Sequence, residues 1–301
     1  MSLFARLRET FAGAFVDRRL PAGLRSLAVS VGRRLRLVVF SAYYLLVGLN
    51  HRYELLATRK RVDGATFRSY ELVNKHGGDR LLATLCRSVE SGDVVVDAGA
   101  NTGVYSLAVA ATHPDARVVA FEPSPTVAEQ CRTNVRVNGF ADRVDVRPVG
   151  LGSEAGEATF YRSTYDELGS FNAGNAGAWE ASVEGAVTVP VATVDGLVAD
   201  GELPPPDHLK VDVEGFEREV LLGARETLRR HRPVVYLEVH DVPDAAVTRA
   251  DHETALADLL RDCGYRIRRR GSEWHCLPVD GSAERDPETV TVDDSSAQSS
   301  P

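Results

Sequence analysis

Residues 93–110 read DVVVDAGANTGVYSLAVA. Three consecutive valines predict a strand at Val94 to Val96 buried on both faces, a glycine-bearing turn follows, and the apolar positions from about Val104 to Ala111 predict a helix. Strand, glycine loop and helix in that order make a ligand-binding turn at the carboxyl edge of a parallel sheet. The flanking sequence continues the pattern. Upstream, Leu81, Leu82, Leu85 and Val89 share one helical face. Downstream, Pro114 stops the helix and RVVAFEP (117–123) is a second buried strand. Ser124 then caps a helix opened by Pro125, with Val127, Cys131 and Val135 on one face and an end at Asn138 and Gly139. RVDVRPVG (143–150) supplies a third strand. The βαβαβ alternation implies a parallel sheet with right-handed crossovers.

The identity of the ligand follows from the residues beside the glycines. A P-loop needs GxxxxGK[ST], and this loop has no lysine. A dinucleotide turn needs GxGxxG, whereas Gly99 and Gly103 are spaced GxxxG. Asp97, at the end of the strand, would repel a pyrophosphate and accommodate an ammonium. S-adenosyl-L-methionine carries an amino group, a sulfonium and a ribose diol, and no phosphate. Glu122 ends the second strand, where a ribose diol lies in such a sheet; NAD enzymes use the same device, so only the combination with Asp97 discriminates. The expected cofactor contacts are Asp97, Gly99, Asn101, Gly103, Tyr105, Glu122, Pro123 and Ser124.

Beyond residue 152 the pattern changes. EATFYR (157–162) and VTVPVATV (187–194) read as strands, with Pro190 favouring an edge. Between them, Ser163 to Gly185 is rich in Gly, Ala, Asn and Ser; a long unpatterned loop of this kind reads as a lid, with Phe171 and Trp179 suited to stacking on a sugar. Residues 208–240, HLKVDVEGFEREVLLGARETLRRHRPVVYLEVH, read as strand, glycine turn, helix and strand. Phe216, Val220, Leu221, Ala224 and Leu228 face inward on that helix. Helix and strand signals resume over 251–280.

DAGANTGVYS, AFEPSP, VPVATVDGLV, LKVDVEGFEREVLLGA and LEVH, in this order, resemble the FkbM family of S-adenosylmethionine-dependent methyltransferases over about residues 70 to 270. The resemblance implies an α/β class I methyltransferase Rossmann-like fold: a seven-stranded, mostly parallel sheet with helices on both faces and an antiparallel strand near the carboxyl end. It also implies methylation of a hydroxyl on a sugar, glycolipid or secondary metabolite. Asp212, Glu214, Glu238 and His240 fall at the carboxyl ends of the fourth and fifth strands, where ligands of open α/β sheets bind. Asp212 and His240 are the expected groups for proton transfer or substrate orientation, with Glu214 and Glu238 for substrate hydroxyls. Clustered carboxylates can raise one another's pKa or hold a divalent cation; no metal is assigned. Two alternatives remain: a non-catalytic cofactor-binding member of a complex, and an NAD-dependent oxidoreductase, against which Asp97 and the GxxxG spacing weigh.

Charge divides the chain. Residues 1–61 hold 12 bases and 3 acids, and residues 62–301 hold 23 bases and 40 acids, so the two parts carry net charges of +9 and −17. An acidic body excludes a nucleic-acid partner, leaving a small-molecule or glycan acceptor. Three expected regions follow: a basic, partly apolar helical extension (1–61), the methyltransferase domain (62–280) and a disordered tail (281–301). The run LVVFSAYYLLVGL, Leu37 to Leu49, is shorter than the roughly 20 residues a membrane span needs. Packing on the domain is the first reading of the extension; peripheral contact with a membrane through residues 18–49 is the second. The four scattered cysteines suggest reduced thiols in the cytoplasm, with the inner membrane face as the associated surface.

Overall fold

The computed structural model describes residues 41–74, 76–163, 169–171, 183–242 and 248–279. Helix α1 covers residues 41–53 and leads into the hairpin β1 (Thr58–Val62) and β2 (Ala65–Ser69). Then come α2 (Arg80–Ser88), β3 (Val94–Ala98), α3 (Val104–Thr112), β4 (Arg117–Phe121), α4 (Pro125–Asn138) and β5 (Val144–Arg147). A small sheet follows, made of β6 (Gly150–Leu151), β7 (Gly156–Ser163) and β8 (Val183–Ala192), and after it α5 (Val194–Ala199). The chain ends with β9 (His208–Val211), α6 (Glu217–Leu222), α7 (Arg225–Arg230), β10 (Val234–Glu238), α8 (Arg249–Asp262), β11 (Tyr265–Arg270) and β12 (Glu273–Pro278).

The main sheet has seven strands in the order β11-β12-β10-β9-β3-β4-β5. Five are parallel, β12 runs antiparallel to β10, and β11 is antiparallel to β12. This is the α/β sheet expected from the sequence. From β3 the chain builds outward to β4 and β5, then returns to add β9 on the other side of β3. That reversal opens a crevice at the carboxyl ends of β3 and β9. The central strands are apolar on both faces because each face is covered. Val95 joins a core with Leu82, Leu85, Leu107 and Val118, whereas Val96 joins one with Leu209, Leu221, Leu256 and Trp274.

Local sequence explains most element ends. Asp79 caps α2 by accepting from Leu82 N, and Ser124 caps α4 by accepting from Val127 N, with Pro125 at the first position. Thr248 and Asp251 form a reciprocal capping box on α8.

Four expectations need correction. The extension is not helical throughout: α1 ends at 53 and residues 58–62 are a strand. The basic run TRKRV hides a period of two, with Arg59 and Arg61 outward and Lys60 and Val62 inward; Lys60 Nζ reaches Glu71 O at 2.6 Å. The hairpin packs on α3 and α4. The helix after β9 is two helices that meet at Gly223, where a Cβ would sit 1.9 Å from Gly152 O, so the backbones touch there. Strand β8 is the middle strand of its sheet, yet β6 pairs only with Val191 and Ala192, which leaves Pro190 beyond that pairing. Phe171 is committed to packing, its ring 5.2 Å from Phe160 and 4.8 Å from Phe216. The rest of the expected lid, Trp179 included, lies outside the described residues, as do residues 1–40 and the tail.

Candidate active site

The glycine loop is built against the end of β9. Gly99 has φ +76, and a Cβ there would lie 1.8 Å from the carbonyl oxygen of Asp212. Only glycine permits this approach. The loop is tied to β4 as well, through Gly99 N and Ala100 N, which both donate to Phe121 O at 3.0 Å. Asn101 adopts φ 51 and its Oδ1 accepts from Thr102 N at 2.7 Å. Gly103 stands at the amino end of α3.

Glu122 follows β4 and is held by two backbone donors, Asn101 N at 3.0 Å and Ser124 N at 2.9 Å. Each carboxylate oxygen keeps a further lone pair. Burial pushes its pKa up to about 7, against the pull of those donors and of Lys210. Asn101 and Ser124 thus hold Glu122 through their backbone, and the carboxylate suits a vicinal diol.

Asp97 is placed differently. Its side chain is 1% exposed, Oδ2 accepts from Ser106 Oγ at 2.7 Å, and Oδ1 lies 3.0 Å from Lys210 Nζ. Asp97 and Lys210 are direct cross-strand neighbours in the β3/β9 register. The ammonium that Asp97 holds is therefore the protein's own, and direct recognition of a ligand's amino group is corrected on that ground. Lys210 also donates to Gly99 O at 2.8 Å and stands 3.5 Å from Asp212 Oδ2, fastening β3, the loop and β9 together. Burial disfavours its charge, but Asp97 and Asp212 outweigh it and raise the pKa. Tyr105 is buried beside this pair: its hydroxyl donates to Asp79 at 3.0 Å and its ring lies 4.8 Å from Lys210 Nζ.

The four expected catalytic residues do converge. His240 Nε2 lies 3.6 Å from Asp212 Oδ1 and 3.7 Å from Glu214 Oε1, and ligand atoms of Asp212, Glu238 and His240 all fall within 4.8 Å of one another. Behind them is Glu217, fully buried at the start of α6. Its Oε1 takes His240 Nδ1 at 2.8 Å and Gly215 N at 3.0 Å, and its Oε2 faces His252 Nε2 at 3.2 Å. Burial works against the charge of Glu217, yet the hydrogen bonds from His240 and His252 prevail and lower it to about 2. His240 responds in kind. Burial opposes its protonation, but the bond to Glu217 and the charges of Glu214 and Asp212 raise it to about 10. His240 therefore holds its proton well above the usual imidazole range, with Nδ1 on Glu217 and Nε2 toward Asp212 and Glu214, a placement that suits orientation of those carboxylates. Burial raises Glu214 to about 7, and the Asp212 charge followed by burial raises Glu238 to about 7.

Two central residues escaped sequence reading. Lys210 is a lysine between Leu209 and Val211 in a buried strand, which is a signal in itself. Glu217 lies on the inward stripe with Leu221, Ala224 and Leu228, where a carboxylate needs a partner.

The sequence of residues 97–267 matches the Methyltransferase FkbM domain, more than half of the chain. The chain is 32% identical over 206 residues to the hexuronic acid methyltransferase AglP of Haloferax volcanii, covering 65% of this chain and 79% of that protein. It is 30% identical to the 31-O-demethyl-FK506 methyltransferase FkbM of Streptomyces tacrolimicus over 58% of this chain and 74% of the relative. The crystal structure of a methyltransferase FkbM from Methylobacillus flagellatus superposes with a TM-score of 0.43 at 18% identity, covering 62% of this chain and 43% of that one. With the glycine loop, Glu122 and the Asp212–Gly215 turn all inside the matched segment, the chain belongs to the FkbM methyltransferase family, whose methyl donor is S-adenosyl-L-methionine.

Proposed function

We propose that the protein is an O-methyltransferase acting on a hydroxyl of a sugar, glycolipid or secondary metabolite. The observation that carries this reading is the pair of carboxyls poised near neutrality, Glu214 and Glu238, beside Asp212 and the His240 imidazolium at the crevice. A hydroxyl nucleophile must lose its proton as its oxygen attacks, and a base works best when its pKa lies near the working pH. Glu238 takes that proton. Glu214 binds the acceptor's hydroxyls, and the imidazolium holds Asp212 and Glu214 in place. When bound, the donor supplies an electrophilic methyl carbon on a sulfonium, and the diol of its ribose fits Glu122. The rest of the task is positioning, in which aligned geometry offsets about 7 to 11 kcal/mol.

Relatives support the acceptor class: one is named a hexuronic acid methyltransferase and another a 31-O-demethyl-FK506 methyltransferase. The test is incubation of the purified chain with isotope-labelled donor and extracts of surface glycans and metabolites from a strain lacking the gene. Label in a base-stable ether is expected. Label in an amine or in a hydrolysable ester would overturn the reading. Glu238→Gln should lower kcat by about 10² to 10⁴ with donor affinity kept.

A further inference from the structure

We infer that the outer face formed by α1 and the hairpin β1–β2 docks on an anionic lipid surface. Between residues 45 and 56 six large apolar side chains stand exposed: Leu45 65%, Leu46 55%, Leu49 39%, Tyr53 60%, Leu55 70% and Leu56 58%. Monomeric proteins seldom leave so dense a run in water, and such patches mark interaction sites. Helix α1 uses its other side to pack, through buried Val47, Asn50 and His51.

The adjoining hairpin adds charge to this apolar strip. Arg59 and Arg68 are directly paired across the strands and both exposed, and Arg61 follows on the same face. Like charges set opposite each other weaken a hairpin, so the stripe does not serve folding. No ion pair to Arg59, Arg61 or Arg68 is found among the described residues.

Helix and hairpin share one support, which aligns their outer faces. Asn134 on α4 donates toward His51 of α1 at 3.4 Å and accepts from Tyr70 N beside β2 at 3.0 Å, while Asn138 accepts from Arg68 N at 2.7 Å. Asn50 joins the two by donating to Tyr70 O, and it fastens the connecting segment by donating to Leu56 O at 2.9 Å and accepting from Leu56 N at 2.8 Å. Both elements therefore cover α4 and look away from it. Arg136, also on α4, reaches Glu54 at 3.8 Å and lines a cleft of about 450 Å³ together with Arg117, Arg132 and Arg143.

Charge complementarity selects the occupant. Residues 41–69, which form this face, hold five bases and two acids, whereas residues 70–301 hold 22 bases and 39 acids, so an anionic bilayer attracts this face and repels the rest, which fixes the orientation. Residues 1–40, which precede α1 in the sequence, hold eight arginines and two acids. Apolar side chains for the acyl boundary beside arginines for headgroups are the two signals that peripheral binding requires. No described helix is long and apolar enough to cross a membrane. The inference is independent of the acceptor.

The experiment is flotation of the full chain with phosphatidylcholine vesicles, with and without phosphatidylserine, together with its sedimentation in solution. Two variants are compared: Leu45→Ser/Leu46→Ser/Leu49→Ser/Leu55→Ser/Leu56→Ser, and Arg59→Gln/Arg61→Gln/Arg68→Gln. Binding of S-adenosylhomocysteine verifies that each variant is folded. The expected result is salt-sensitive binding of the wild-type chain to phosphatidylserine vesicles alone, reduced roughly a hundredfold by the arginine variant and abolished by the leucine variant. Wild-type protein that stays off the vesicles overturns the inference, whether it sediments as a monomer or as a dimer that the leucine variant dissociates. Variants that float like the wild type overturn it as well.

Discussion

Glu217→Gln isolates the charge of the buried hub while keeping its shape. The carboxylate sits at about 2 instead of 4.5, a depression that corresponds to about 3 kcal/mol of folded-state stabilisation. That agrees with the about 3 to 5 kcal/mol lost when one partner of a buried pair is removed. For a domain of this size about 3 kcal/mol lowers Tm by about 6 to 12 °C. The pH dependence has a definite sign. The Glu217 contribution is present above pH 4.5 and is lost as pH falls toward about 2, because folding depresses its pKa. The His240 contribution is full below its unfolded value of 6.5 and is lost as pH rises through about 10, because folding raises its pKa. These are two views of one interaction and do not add. Thermal melts of both proteins from pH 5 to 11 provide the assay. The wild type should lose stability on the alkaline side, and Glu217→Gln should be less stable at pH 7 with a smaller alkaline decline that starts from the same unfolded value of 6.5 and ends at lower pH. A variant that melts within a degree or two of the wild type, with the same alkaline decline, would refute the assignment of His240 as an imidazolium held by Glu217.

Other perturbations address the rest of the site. Lys210→Met strands the Asp97 carboxylate without its cation and should cost about 3 to 5 kcal/mol in urea unfolding, whereas the exposed Arg230→Met should cost less than about 1. Gly99→Ala drives a methyl into the Asp212 carbonyl from a left-handed backbone, so donor binding should be lost and Tm lowered; normal calorimetric affinity would count against the close approach. Glu122→Gln should weaken S-adenosylhomocysteine binding by roughly ten- to a hundredfold through loss of a charged acceptor. In the wild type that affinity should rise as pH passes about 7 and Glu122 ionises; a flat profile would detach Glu122 from the diol.

The fold and the outline of the site were legible wherever the information is local. Alternation separates Val95 from Val96, Ser124 and Pro125 announce α4, and the carboxylates Glu122, Asp212 and Glu238 at the ends of β4, β9 and β10 mark the crevice edge. Residues 58–62 misled because the charged TRKRV hides a two-residue period, which becomes visible once Lys60 is seen to lay its stem inward.

By itself the sequence determined the strand, loop and helix order, the glycine demanded at 99, and the identity of the residues brought to the carboxyl edge. Tertiary structure decided what those residues are to one another. Asp97 and Lys210 are 113 positions apart, and only the parallel registration of β3 on β9 makes them a pair, turning an expected ligand contact into an internal one. Likewise His240 has the ordinary titration of an imidazole until α6 brings buried Glu217 to its Nδ1. Charge state depends on distance and burial between segments remote in the chain, and no reading of one segment contains either.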